Sequence, residues 1–212
     1  MLTAVVTCAA VLGAAYGEWL RRVLAAGAYR LPGEIGSIPA RYWLGPVAAL
    51  VAALIGWHLG GLERWVVLPA YAVMLAIALP LAAIDLDVHR LPDRLTLSGL
   101  PALLLFLALD WDTARMARAV ICAGLAGLIF LLLALAVPGG LGLGDVKLAA
   151  LLGLALGWWG YVAVVQGLAS GFVIGGLVSL GLIVARRATR HTHIALGPAL
   201  LVGALGALLT AT

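Results

Sequence analysis

From Leu148 to Ala185 the chain runs for 38 residues without a charged side chain. As one helix that stretch would be about 57 Å long against a hydrocarbon core of about 30 Å, so it has to cross, turn and cross back. The turn belongs at Trp158-Trp159-Gly160-Tyr161, because amphipathic aromatic rings favour the membrane interface and glycine permits the reversal. A chain with such a segment is an integral membrane protein. Composition agrees, with 65% of residues hydrophobic and 10% charged against about 45–50% and about 25% in soluble domains. Most of the 212 residues lie in apolar runs, which leaves no room for a separate soluble domain.

At about 17–25 residues per crossing, eight segments are expected: Leu2 to Leu20, Trp43 to Leu62, Trp65 to Ile84, Leu95 to Trp111, Ala117 to Val137, Asp145 to Trp158, Gly160 to Ala185 and Ile194 to Ala211. The fold class is therefore all-α, a polytopic bundle of about eight transmembrane helices (six to eight), the fourth and sixth segments being the shortest. Met1 to Gly17 has no Lys or Arg ahead of its apolar stretch and reads as a first permanent helix, not a cleaved signal. Small residues at Gly56/Gly60, Gly153/Gly157, Gly167/Gly171 and Gly171/Gly175 have the spacing that lets membrane helices pack closely.

Basic residues orient the bundle. The loops after segments one, three, five and seven hold Arg21, Arg22, Arg30, Arg41, Arg90, Arg94, Lys147, Arg186, Arg187 and Arg190; the others hold only Arg64, Arg115 and Arg118. Ten against three makes the first set cytoplasmic and puts the N-terminus outside. The net charge of +4 is accounted for by these loops, so lipid is the expected partner and nucleic acid is not. Cys8 and Cys122 lie in different apolar runs without a C-x-x-C, which argues against a zinc ribbon, a redox motif or a disulfide scaffold.

Two acids stand out against this background. Asp145 follows Pro138-Gly139-Gly140-Leu141-Gly142-Leu143-Gly144, a stretch dense in glycine, at the start of an apolar run, and Asp85 ends another. The charge count puts both at the same membrane face. Ionisable groups at such positions are costly and functional by default. Two carboxyl groups a few ångströms apart do not both ionise comfortably and hold one proton between them, so one can take a proton from water while the other polarises a carbonyl. The glycines before Asp145 would let a substrate strand lie against the main chain. Lys147 would either steady the ionised member of the pair or extend to lipid phosphate. Asp93 can complement the positive end of a helix opened by Leu91-Pro92.

Gly142-x-Gly144-Asp145, together with Ile84-Asp85 and the following Leu91-Pro92-Asp93-x-Leu95-Thr96, resembles the G-x-G-D aspartic proteases of the prepilin peptidase, or type IV leader peptidase, family. Lys147-Leu148 matches the family's G-D-x-K-L wording, and His193-Ile194-Ala195-Leu196-Gly197-Pro198 is similar to its I-P-F-G-P element with two substitutions. The resemblance implies an intramembrane aspartic endopeptidase that removes the basic leader of type IV prepilin or pseudopilin precursors at the cytoplasmic face of the bacterial inner membrane. Asp85 and Asp145 would be the catalytic pair. Gly142, Gly144, Lys147, Pro92, Gly197 and Pro198 would shape the site, and Asp87 and Asp93 would meet the basic leader. Residues 1–64 would then form a helix pair with a short basic loop, and residues 65–212 the peptidase domain. Full-length members carry a cysteine-paired insert between the first two helices and methylate the new N-terminus. Here the loop Arg21 to Arg41 has no cysteine. No cofactor is implied for the peptidase step, and S-adenosylmethionine only if methylation is retained.

Other readings are weaker. His58 is the sole intramembrane histidine that could serve Ser170 in a serine protease, and His191-x-His193 lacks the thiolate or carboxylate of a good metal site, so no metal is expected. A proton-coupled transporter would use the same two aspartates for proton binding and release.

Overall fold

A computed structural model of the chain describes residues 1–31, 33–34, 42–136, 141–186 and 195–212. Pro32, Arg41, Val137, the Pro138 to Gly140 stretch, Arg187, Arg190, the His191-x-His193 pair and Ile194 lie outside them. Within the described residues there are eight α-helices and no strand: α1 Leu2–Ala25, α2 Leu44–Gly61, α3 Leu68–Val88, α4 Asp93–Leu107, α5 Thr113–Ala136, α6 Leu143–Gly157, α7 Tyr161–Val184 and α8 Gly197–Thr210. Single 3-10 turns, Trp65–Val67 and Ala108–Asp110, precede α3 and follow α4. Five spans are long and apolar enough to cross a membrane: α1, α2, Trp65–Val88, α5 and α7. The 38-residue run turns where the aromatic cluster stands, with α6 ending at Gly157 and α7 opening at Tyr161. Between them Gly160 adopts φ 154, ψ 167, a conformation open in practice only to glycine.

Several boundaries differ from the expected ones, α3 running on to Val88 and α5 starting at Thr113 among them, and two of the shifts have a local cause. α1 continues five residues past Leu20, because Glu18 accepts from Arg21 at 2.6 Å and from Arg22 at 3.1 Å, pairs one helical turn apart that neutralise its polar last turns. α4 starts at Asp93, before the apolar run, because Pro92 is its N-cap and presents its carbonyl to the Leu95 and Thr96 N–H groups.

Antiparallel hairpins α1–α2, α5–α6 and α7–α8 are held by backbone contact at glycines. A Cβ on Gly17 would lie 2.4 Å from the Leu44 carbonyl oxygen, and one on Gly153 2.6 Å from that of Cys122. Small residues buy such close approach in lipid, where apolar side chains gain little by leaving the tails. The spacing at Gly153/Gly157 and Gly167/Gly171 signals this packing; Gly13 and Gly17 on α1 do the same without having been singled out. α6 lies at the centre. From Leu148 to Gly157 every residue except Ala150 is buried, and α4, α5, α7 and α8 pack round it. That position explains how the helix can be apolar on all sides from Leu148 to Gly157.

Gly203 sits where a Cβ would come within 2.4 Å of the Gly171 nitrogen, whereas Gly206 on the same helix has nothing within 4 Å. Gly203→Val should force α7 and α8 apart and cost about 1–3 kcal/mol. Gly206→Ala should change stability by less than about 0.5 kcal/mol. Thermal melting of the two variants in detergent micelles checks the contrast.

Candidate active site

Asp85 lies in the last turn of α3 and is 5% exposed. The helix stops four residues later because His89 takes the left-handed conformation (φ 51), its N–H still donating to the Asp85 carbonyl at 2.9 Å. Histidine is among the few non-glycine residues that enter this region readily, and the turn redirects the chain into Arg90-Leu91-Pro92. A buried carboxylate needs a donor, and α8 supplies one: the Gly197 N–H donates to Asp85 Oδ2 at 2.9 Å. Gly197 opens α8 and Pro198 follows without an N–H, so the negative charge sits on the positive end of that helix. The contact requires glycine, since a Cβ there would be 2.8 Å from Asp85 Oδ2.

Asp145 is placed in the same manner on another helix. It is the third residue of α6, and its Oδ2 accepts from the Gly142 N–H at 3.2 Å, the half of a capping box that a glycine N-cap permits. Leu91 joins the two centres. A Cβ on Gly144 would be 2.9 Å from Leu91 Cβ, and one on Gly197 3.5 Å from Leu91 Cδ2, so this one side chain fills the space left by both glycines. Gly144 is thus explained by packing inside the chain, and no substrate strand is needed to account for it. Leu91 lies between the glycine next to Asp145 and the glycine that holds Asp85. Each has one oxygen held by a backbone N–H, and neither accepts a further hydrogen bond among the described residues. The arrangement can bind a water or a carbonyl between two anchored acids.

The remaining acids are engaged elsewhere. Asp87, whose side chain is fully buried, accepts from Arg30 Nε at 3.0 Å and from Arg30 Nη2 at 2.8 Å, and also from the Tyr29 hydroxyl. It is committed to the α1–α2 loop and does not present a free charge to a leader. Arg90 extends the same strap, donating to the Tyr29 carbonyl at 2.8 Å and to Glu34 Oε1 at 3.1 Å. The Leu31 N–H, and after it the Arg90 guanidinium, hold Glu34 below the usual carboxylate range. Its part of the strap is therefore complete above the ordinary glutamate value of about 4.3 and is lost as pH falls below it. Lys147 pairs with Asp93 at 2.6 Å across α6 and α4, rather than with either member of the Asp85/Asp145 pair. With Asp93 64% exposed, the contact is worth at most about 1 kcal/mol. Ser170 donates to the Gln166 carbonyl of its own helix, and His58 packs on Trp159, so the serine and histidine are not brought together.

Sequence reasoning missed Glu34 and Arg90 as parts of this region. Leu91 enters it only within the Leu91-Pro92-Asp93 wording, and Tyr29-Arg30-Leu31-Pro32 keeps a fragment of the family's wording, but the contacts these residues make arise only in the fold.

A family model for type IV leader peptidases matches residues 70–212, from the start of α3 to the end of α8, both aspartates included. The chain belongs to the type IV leader peptidase family. No curated protein and no solved structure matches it. This leader peptidase is accordingly a membrane protease with several crossing helices, and α1 and α2 lie outside the matched region.

Replacing Gly197 by alanine should displace the Asp85 carboxylate from its N–H and leave it buried without that partner. The expected loss of stability is about 1–3 kcal/mol. Melting in micelles tests it, with unchanged melting for Gly197→Ala counting against the contact.

Proposed function

We propose that this leader peptidase is an aspartic endopeptidase in which Asp85 and Asp145 share one proton over the scissile bond. The observation that carries the reading is the pairing itself: two carboxylates from α3 and α6, each held by one N–H at a helix N-terminus and joined through Leu91. In this reading the ionised acid takes a proton from water while the protonated one donates to the substrate carbonyl. As the tetrahedral intermediate collapses, the proton passes to the leaving amine and the pair returns to its starting state. No cofactor enters the step, and S-adenosylmethionine would be needed only for a separate methyl transfer.

The substrates proposed are type IV prepilin or pseudopilin precursors, which join a basic leader to an apolar helix. The cytoplasmic face of the inner membrane is proposed for the reaction, supported by the excess of Arg and Lys in the loops at the Asp85 and Asp145 end. Asp87 and Asp93 have internal partners, so recognition of a basic leader would fall to the aspartate pair and to residues outside those two ion pairs.

Asp85→Asn and Asp145→Asn should each lower cleavage of a co-expressed precursor by about 10²–10⁴-fold, with unchanged amounts of enzyme in the membrane. Mass spectrometry of the precursor reports leader loss and any added methyl group. Processing by either variant at the parental rate would remove the catalytic assignment.

A further inference from the structure

An apolar groove of about 220 Å³ runs down the bundle between α2 and α8, with α3 and α6 as its floor. Each wall is one stripe of a helix. α2 contributes Trp43, Val47, Val51 and Ile55, four residues apart each time, and α8 contributes Pro198, Val202 and Leu205 at similar intervals. The floor along α3 extends from Leu86 to Tyr71, 15 residues or about 22 Å of helix. Tyr71 is the one lining side chain of the floor with a hydroxyl, and that hydroxyl donates to the Ala155 carbonyl. A polar segment would find nothing to bond along this path.

One end of the groove is the candidate active site. Pro198 follows Gly197, whose N–H holds Asp85, and Leu86 follows Asp85 in sequence. The precursors proposed above carry an apolar helix directly after the bond to be cut. If that bond lies over Asp85 and Asp145, the apolar helix has to descend into the bilayer from that point, and the groove is the apolar path that starts there. Val202 on its rim is 57% exposed, so the groove is open from the side rather than closed over.

We propose that the groove between α2 and α8 is the docking lane for the apolar helix of the precursor, with α2, outside the region matching the family, as one of its two walls. The proposal rests on the peptidase reading for its substrate, but its test separates the two. A photo-crosslinking residue is placed at Val51 or at Val202 in the Asp85→Asn chain, and at Ile129, which is 55% exposed on α5, as the control. Co-expressed precursor should be captured at Val51 and Val202, through its apolar helix, and not at Ile129. In the active chain, Val51→Trp should raise KM for the precursor about tenfold with kcat held within twofold, in line with filling a contact surface. Ile129→Trp should leave both constants unchanged.

Adducts at Val51 and Val202 containing only lipid would assign the groove to an acyl chain and overturn the proposal. Equal capture at all three positions, or a kcat loss without a KM change in Val51→Trp, would overturn it as well. Cleavage of precursor by the parental chain without capture in the groove of the Asp85→Asn chain removes the docking lane and leaves the peptidase reading in place. Capture in the groove of the Asp85→Asn chain, with a parental chain that never cleaves, supports the docking lane and removes the peptidase reading.

Discussion

The bond from the Gly197 N–H to Asp85 is the contact on which the site depends. An acid at 5% exposure in an apolar bundle is tolerable only with a donor, and a membrane interior offers no water to act as one. Here the donor is a helix N-terminus, where N–H groups lack an intrahelical partner, whereas the buried Asp87 two residues on is served by the Arg30 and Tyr29 side chains. α8 must therefore begin beside the end of α3, and its first residue must lack a side chain. Pro198 at the next position adds no unsatisfied N–H to the same turn. One electrostatic requirement thus fixes the relative height of two helices and the identity of two residues.

Asp145 satisfies a weaker form of the same requirement. Its donor, Gly142, is local, three residues away, so α6 can present its acid without help from another helix. What is not local is the distance between the two acids. Leu91 bears on it by packing, since it lies against Gly144 on one side and Gly197 on the other. A larger residue at either glycine, or a smaller one at Leu91, would alter the spacing of the pair while leaving both aspartates in the chain. The strap of Tyr29, Arg30 and Glu34 onto Asp87 and Arg90 fixes the same turn from the α1–α2 side. The hairpin outside the family match is thereby tied to the segment that carries Asp85.

Much of the fold is legible in the sequence because lipid imposes it. Runs of fixed length must become helices, and the 38-residue run must turn at its aromatic cluster. The aspartates are legible for the same reason, as acids are expensive there. The polar partners of the loops are not. Nothing in the spacing of Arg30 and Asp87, or of Lys147 and Asp93, distinguishes an internal ion pair from a free charge waiting for substrate, since both arise from contacts between segments distant in the chain. Assigning Asp87 to a basic leader, and Lys147 to the ionised acid or to lipid phosphate, follows from their places at helix ends; the ion pairs with Arg30 and Asp93 appear only in the fold. Gly144 shows the same limit: glycine density signals close approach, and whether the approaching group is a substrate or Leu91 is a matter of tertiary packing.

The distribution of buried polar groups bears on the rival reading of the acids as part of a proton pathway. Among the described residues the buried acids are Asp85 and Asp87, which with Thr96 lie at the end of the bundle where α3 stops and α4 starts, while the buried Tyr71 hydroxyl and the His58 and Trp158 ring nitrogens lie elsewhere. From Ala72 to Ile84 α3 carries no polar side chain, and α6 carries none from Leu148 to Gly157. About 20 Å of apolar helix therefore separates Asp85 from Tyr71, whose hydroxyl is engaged with Ala155. A carrier has to pass its proton between faces through groups that can hold it or through water that polar side chains retain. A hydrolase needs neither: its acids exchange protons with one face only, and in the proposed reading the apolar length beneath them would keep a substrate's membrane segment dry while its polar end reaches the carboxylates.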